Sequence, residues 1–135
     1  MQSFSLTSIS GKPYKLELPK PKSNFVSKYV FAFAKSGSTL LDNMLSVYCQ
    51  HIDFPTFSLF NQAFDQGVAT SDIGPESRFC FQRNGYLYTG FRHFPHYDLD
   101  LADSPAILLV RDPRDMAVSM YYSIMKSHVI PKGME

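Results

Sequence analysis

The chain has almost no surplus of charge: 13 Lys and Arg stand against 12 Asp and Glu, a formal net charge of +1 over 135 residues. An extended basic field of the kind that follows a nucleic-acid backbone is excluded, so any anion site must be local. Cysteine is equally scarce. Cys49 and Cys80 are the only two and lack C-x-x-C spacing, which speaks for buried reduced thiols rather than a zinc site or a disulfide framework. No apolar run approaches the roughly 20 residues of a membrane span. The opening, Met1-Gln2-Ser3-Phe4-Ser5-Leu6-Thr7, has neither a basic start nor an apolar h-region. The expectation is a soluble, cytoplasmic protein without repeats or low-complexity tracts.

What is present is a hydrophobic content of 44% with 15% aromatics, enough for one folded domain with a real core. Its organising stretch is Tyr29-Val30-Phe31-Ala32-Phe33-Ala34-Lys35-Ser36-Gly37-Ser38-Thr39-Leu40-Leu41. Val30 to Ala34 is a short run of aromatic, β-branched and small residues, suited to a strand covered on both faces of a parallel sheet. The polar turn from Lys35 to Thr39 follows at once. Gly37 opens conformations closed to other residues, and the flanking Ser and Thr can cap a helix beginning near Thr39. Backbone N–H groups and the positive end of a helix dipole then converge where Lys35 adds a full charge, which is a phosphate site. A Lys-Ser-Gly-Ser-Thr string also occurs in ordinary surface loops. It is not a Walker A loop, because Lys35 precedes Gly37.

Residues 1–24 carry Gly11, Pro13, Pro19, Pro21 and four lysines (Lys12, Lys15, Lys20 and Lys22), and within them only residues 14–18 alternate as a strand should. They read as a solvated basic arm with an edge strand, and residues 25–135 as the domain proper. Leu40, Leu41, Met44, Leu45 and Tyr48 recur at helical spacing, so a helix from about Thr39 to His51 buries that stripe against the sheet, with Asp42 in its first turn. Residues 57–67 are weakly helical at best and residues 69–76 a loop. In that region Phe54, Phe57, Phe60 and Phe64 could line an apolar pocket, although such spacing equally suits a core. A second strand is expected at residues 85–91. A third, Ala106-Ile107-Leu108-Leu109-Val110, is wholly apolar, as strands in the middle of a parallel sheet are.

The turn after this third strand is a second anion signal. Asp112 is placed as an N-cap, Pro113 at the first helical position and Asp115 three after the cap, so a helix runs to about Ser127. Arg111 is left at the carboxyl end of the strand, where open α/β sheets bind ligands, and its planar fork suits a phosphate. Two strand–turn–helix units with cations at their strands' carboxyl ends fit one ligand with two separated anionic groups. His93, His96, Asp98 and Asp100 offer metal-ligand types, but Pro95 interrupts any helix or strand spacing, and no metal is expected.

Residues 34–40, Ala-Lys-Ser-Gly-Ser-Thr-Leu, resemble the 5′-phosphosulfate loop Pro-Lys-Ser-Gly-Thr-Thr-Trp of the sulfotransferases that use 3′-phosphoadenosine 5′-phosphosulfate (PAPS). Ala34 stands where that loop has Pro, and Leu40 where it has Trp. The segment Arg111-Asp112-Pro113-Arg114-Asp115-Met116-Ala117-Val118-Ser119 is similar to the family's 3′-phosphate segment, with Arg111 and Ser119 eight residues apart as in the family. Arg92-His93-Phe94-Pro95 resembles the family's Lys-Thr-His-Leu-Pro.

The resemblance implies a three-layer, P-loop-like α/β fold with a parallel β-sheet flanked by helices, and sulfuryl transfer from PAPS to a hydroxyl or amine without a metal. Lys35 would be catalytic and, with Ser36, Gly37, Ser38 and Thr39, would bind the 5′-phosphate end. Arg111 and Ser119 would hold the 3′-phosphate, and His93 would be the base, a role that a carboxylate takes in some members. The acceptor would be a small-molecule, glycan or lipid alcohol. Family members continue past the segment matched by residue 135 into a Gly-rich basic segment that closes over the nucleotide. The resemblance covers about half a family domain, and the fold expected is incomplete relative to a full one. Two expectations follow: an enzyme whose site is completed by a longer chain or by homo-oligomerisation, or an inactive module that retains the phosphate cradle.

Overall fold

The computed structural model describes residues 1–22, 24–95, 98–99 and 101–126. Alternation of apolar and polar residues builds the first element, an antiparallel hairpin of β1 (Gln2–Thr7) and β2 (Pro13–Leu18). The expected arm is thus partly a packed structure: Tyr14, Leu16 and Leu18 of β2 are buried in the main core, while the intervening Lys15 and Glu17 stay exposed. The outward N–H and C=O of Lys15 and Glu17 have no third strand to meet. They are taken by side-chain amides of the α2 helix (Leu59–Asp65), Gln66 just beyond it bonding both groups of Lys15 at 2.8 and 2.7 Å and Gln62 both groups of Glu17 at 2.8 and 3.1 Å. Each glutamine amide, with one acceptor and two donors, reproduces the pairing a strand backbone would offer.

The main sheet has four parallel strands in the order β4 (Thr56–Phe57), β5 (Leu87–Phe91), β3 (Lys28–Ala32), β6 (Ala106–Leu109). Period-2 alternation divides β3 between its two faces. Tyr29 and Phe31 join Phe57, Tyr88, Phe91, Phe60 and the hairpin residues in the larger core, whereas Val30 packs with Leu87 and Cys49 of helix α1 (Ser38–His51) in a smaller one. Both cysteines are free and buried, and burial pushes the Cys80 thiol up to about 12.

Three expectations need correction. The stripe of α1 that meets the sheet is the i, i+4 row Leu41, Leu45 and Cys49; Leu40, Met44 and Tyr48, turned further around the helix, are more than 60% exposed. Asp42 is the fifth residue of α1 rather than part of its first turn. The apolar run at 106–110 lies at the edge of the sheet, not in its middle. β6 pairs with β3 alone, and Ala106, Ile107 and Leu108 are exposed because no further described element covers them. Helix α3 (Pro113–Lys126) follows with Ser123 as its one buried residue, and Ser127 lies outside the described residues. Residues 59–65 form a definite helix, capped by Ser58 Oγ accepting from Asn61 N–H at 3.3 Å, and the expected loop at 69–76 contains a 3₁₀ turn at Thr70–Asp72 and leads into another at Pro75–Cys80. None of the helices among the described residues is long and apolar enough to cross a membrane.

Candidate anion-binding cavity

The loops that leave the carboxyl ends of β3, β5 and β6 meet at one edge of the sheet, the place where open parallel sheets bind ligands. A cavity of about 630 Å³ opens there. Its wall takes Ala34, Lys35, Gly37, Ser38 and Thr39 from the first loop, Gly90 and Arg92 from the end of β5, and Arg111 and Ser119 from the second unit. Phe60, Asn61 and Phe64 of α2 and Thr70 complete it.

The first loop is shaped by backbone conformation. Lys35 and Gly37 both have left-handed φ, 65° and 97°, a state that costs a side-chain-bearing residue about 1–2 kcal/mol and that glycine adopts freely. Ser36 N–H and Oγ both donate to the Phe33 carbonyl, at 3.2 and 2.7 Å, tying the turn back to its strand. Ser36 therefore supports the loop and does not line the cavity. Gly37 is the N-cap of α1, and no side chain caps the helix. The expected Ser or Thr cap is absent, which leaves the leading amides and the helix dipole open to the cavity rather than bonded to a neighbouring hydroxyl.

The second unit has the opposite arrangement. Asp112 Oδ1 accepts from the Arg114 backbone N–H at 2.9 Å and from its Nε at 3.0 Å, so α3 is capped by its own side chain. The Arg114 hydrogen bonds hold the Asp112 carboxyl below its ordinary range. Arg111 is turned toward the first loop, its Nη1 3.4 Å from the Lys35 carbonyl, with Asp115 Oδ2 3.6 Å from its Nε. Lys35 Nζ donates to Ser123 Oγ of α3 at 2.8 Å. These two contacts join the two strand–turn–helix units across 76 and 88 residues of sequence.

Of the sequence-predicted site residues, Lys35, Gly37, Ser38, Thr39, Arg111 and Ser119 share this cavity. His93 does not. It is exposed and borders a separate void of about 20 Å³ with Phe31, Ala32, Phe33, Arg92, Phe94 and Leu108. The His93 ring lies 6.0 Å from that of Phe60, whose residue also lines the large cavity. Among the four phenylalanines, Phe60 and Phe64 line the cavity, Phe57 is core, and Phe54 sits under Lys28 Nζ at 5.6 Å.

Arg92 is a wall residue that the motifs did not single out by itself. Its Nη2 is 3.1 Å from Asp42 Oδ2 of α1, and its Nη1 is buried without a hydrogen-bond partner. The sequence did carry a signal, a cation at the carboxyl end of a strand in an α/β chain. Gly90, two residues earlier, has φ 84° and lies against the start of α2: a Cβ there would overlap Ser58 Oγ and come within 3.3 Å of Asn61 Oδ1. The absence of a side chain lets α2 bring Phe60 and Asn61 to the wall. Among the described residues no carboxylate lines the cavity, and Lys35, Arg92 and Arg111 give its wall a positive character that Asp42 and Asp115, behind the two arginines, partly offset. Among the described residues no group of three His, Cys, Asp or Glu side chains is placed to hold a metal ion; His96 and Asp100 lie outside those residues. No protein-family profile, curated protein or solved structure matches the chain.

Proposed function

We propose that the chain binds PAPS in this cavity and transfers its sulfuryl group to an alcohol or amine, as a sulfotransferase. The observation that carries the reading is that two motifs more than 70 residues apart in sequence contribute Lys35, Gly37, Ser38 and Thr39, and Arg111 and Ser119, to one wall. A nucleotide with two separated anionic groups suits that wall: free helix N-terminal amides and Lys35 at one turn, a guanidinium and a hydroxyl at the other, and, among the described residues, no lining carboxylate to repel it.

When bound, PAPS supplies the sulfuryl group: its bridging S–O bond breaks, a new S–O or S–N bond forms to the acceptor's oxygen or nitrogen, and the acceptor's proton passes to a base. The protein's part is positioning and charge stabilisation. Lys35, released from Ser123, would neutralise the charge that develops on the departing 5′-phosphate. The amides of residues 37–39 would orient that phosphate, with Ser36 holding the turn that presents them, and Arg111 with Ser119 would fix the register through the 3′-phosphate. His93, which borders the separate void, would have to reach the acceptor past Phe60 to take its proton.

The second reading is a nucleotide-phosphate-binding module without turnover, and the position of His93 in a different void favours it. Calorimetric titration with adenosine 3′,5′-bisphosphate, beside Lys35→Ala and Arg111→Ala, tests both readings. Micromolar binding that both substitutions abolish supports the cradle, and absence of binding by a folded chain overturns it. Sulfuryl transfer from PAPS then separates enzyme from module.

A further inference from the structure

Arg92 belongs to neither phosphate motif, yet it stands on the same wall, and its neighbours there are of a different kind. The α2 end of the cavity presents the rings of Phe60 and Phe64 and the amide of Asn61. Phe60 is buried behind the wall, whereas Phe64 is 71% exposed at the mouth. Asp42 is itself only 8% exposed and occupies one guanidinium nitrogen of Arg92, leaving Nη1 buried and unpaired. A guanidinium carries five donors and gains most from a planar anion that accepts two of them. An unpaired buried donor is costly and is relieved when a ligand supplies the acceptor.

We propose that this end of the cavity takes an acceptor that is itself an acid: a hydroxyaryl compound whose ring lies against Phe60 and Phe64 and whose carboxylate is bound by Arg92. The inference rests on the sulfuryl-transfer reading for the identity of the ligand as acceptor. Asp42 is a positioning residue, holding the guanidinium against the wall. Arg92 sets specificity by charge, and the phenylalanines set it by shape.

The test compares 4-hydroxyphenylacetate with its neutral isostere 4-hydroxyphenylacetamide, titrated into the full chain with and without saturating adenosine 3′,5′-bisphosphate. The acid should bind the wild type at least about tenfold more tightly than the amide, the scale of one charge-assisted contact. Arg92→Gln should remove that preference, bringing acid and amide to within about twofold of each other. Because Arg92→Gln strands a buried carboxylate, Asp42→Asn/Arg92→Gln is measured beside it, and Arg92→Lys should keep part of the preference. Equal binding of acid and amide to a wild type that binds the nucleotide overturns the inference and leaves the nucleotide reading standing. An Arg92-dependent preference without nucleotide binding supports the acid site and overturns the sulfuryl-transfer reading. Loss of nucleotide affinity in Arg92→Gln with the acid preference intact places Arg92 on the phosphates and overturns the assignment.

Discussion

The two strand–turn–helix units are alike in sequence and opposite in setting. In the first, β3 lies between β5 and β6 with four of its five residues buried, and an open helix terminus follows it. In the second, β6 is an edge strand with three of four residues exposed, and a self-capped helix follows it. The buried unit can hold a strained turn because its surroundings fix it, so its helix begins with amides that no side chain caps. The peripheral unit satisfies its own terminus and contributes side chains instead. An anion held between them would have one rigid wall and one adjustable wall.

The largest expected effect tests the difference in burial at a single pair of register partners, Phe31 and Leu108. Phe31→Ala removes a 5%-exposed ring that packs at a tilt against Phe91 and stacks on Phe94, and urea denaturation should show a loss of about 3–5 kcal/mol. Leu108→Ala, at 55% exposure, should cost no more than about 1 kcal/mol. Equal losses would mean that β6 is as buried as β3, and the comparison would fail.

The turns should differ next. Gly37→Ala forces a side chain into left-handed backbone and should cost about 1–2 kcal/mol, although nothing crowds its Cβ. Pro113→Ala, in a turn that needs no such conformation, should stay within about 0.5 kcal/mol. Lys35→Gly sharpens the same point, relieving strain at φ 65° and stabilising the fold by up to about 1 kcal/mol while weakening nucleotide binding. A Lys35→Gly protein no more stable than Lys35→Ala in thermal denaturation would show that the loop carries no strain.

The smallest effects are pH responses of opposite sign. Cys80 lies in the core that Tyr29 and Phe31 share, its thiol raised from 9.0 to about 12 by burial. The unfolded chain releases that proton first, so this stability is full below pH 9.0 and is lost as pH rises toward 12. Tyr88, also raised by burial, adds to the loss above its ordinary value of 10.0. Melting temperatures from pH 8 to about 11 should fall less steeply in Cys80→Ala than in the wild type. Asp112, held low by Arg114, supports α3 above its ordinary value of 3.8, and the support is lost as pH falls through the lower folded value. Far-UV circular dichroism should show a small helical loss on acidification that is absent from Asp112→Ala.

The local grammar of both units was legible in the sequence. Residues 38–51 and 113–126 are helices close to the expected limits, and the polar turns before them reach one cavity. What failed was position. An apolar run such as 106–110 states that a strand favours burial, but its covering comes from elements elsewhere in the chain, and the same run suits an edge or a centre. The helix row of α1 was misread for the same reason, since Leu40 and Leu41 have equal hydropathic weight and only the neighbouring sheet chooses between them. The strand Gln2–Thr7 is not among the expected ones, although Phe4 and Leu6 alternate with Ser and Thr. Arg92 was passed over because its meaning depends on Asp42, 50 residues away.

The paired glutamine amides on β2 have a consequence for how the molecule would be seen in solution. The N–H groups of Lys15 and Glu17 are bonded as a sheet interior bonds them, at 2.8 Å each, although the neighbour is a pair of side chains. A hydrogen-exchange map should record slow amides at alternate residues along that edge, the signature of one strand more than the chain possesses. Replacing Gln62 and Gln66 would erase that phantom strand from the map while leaving the real ones in place.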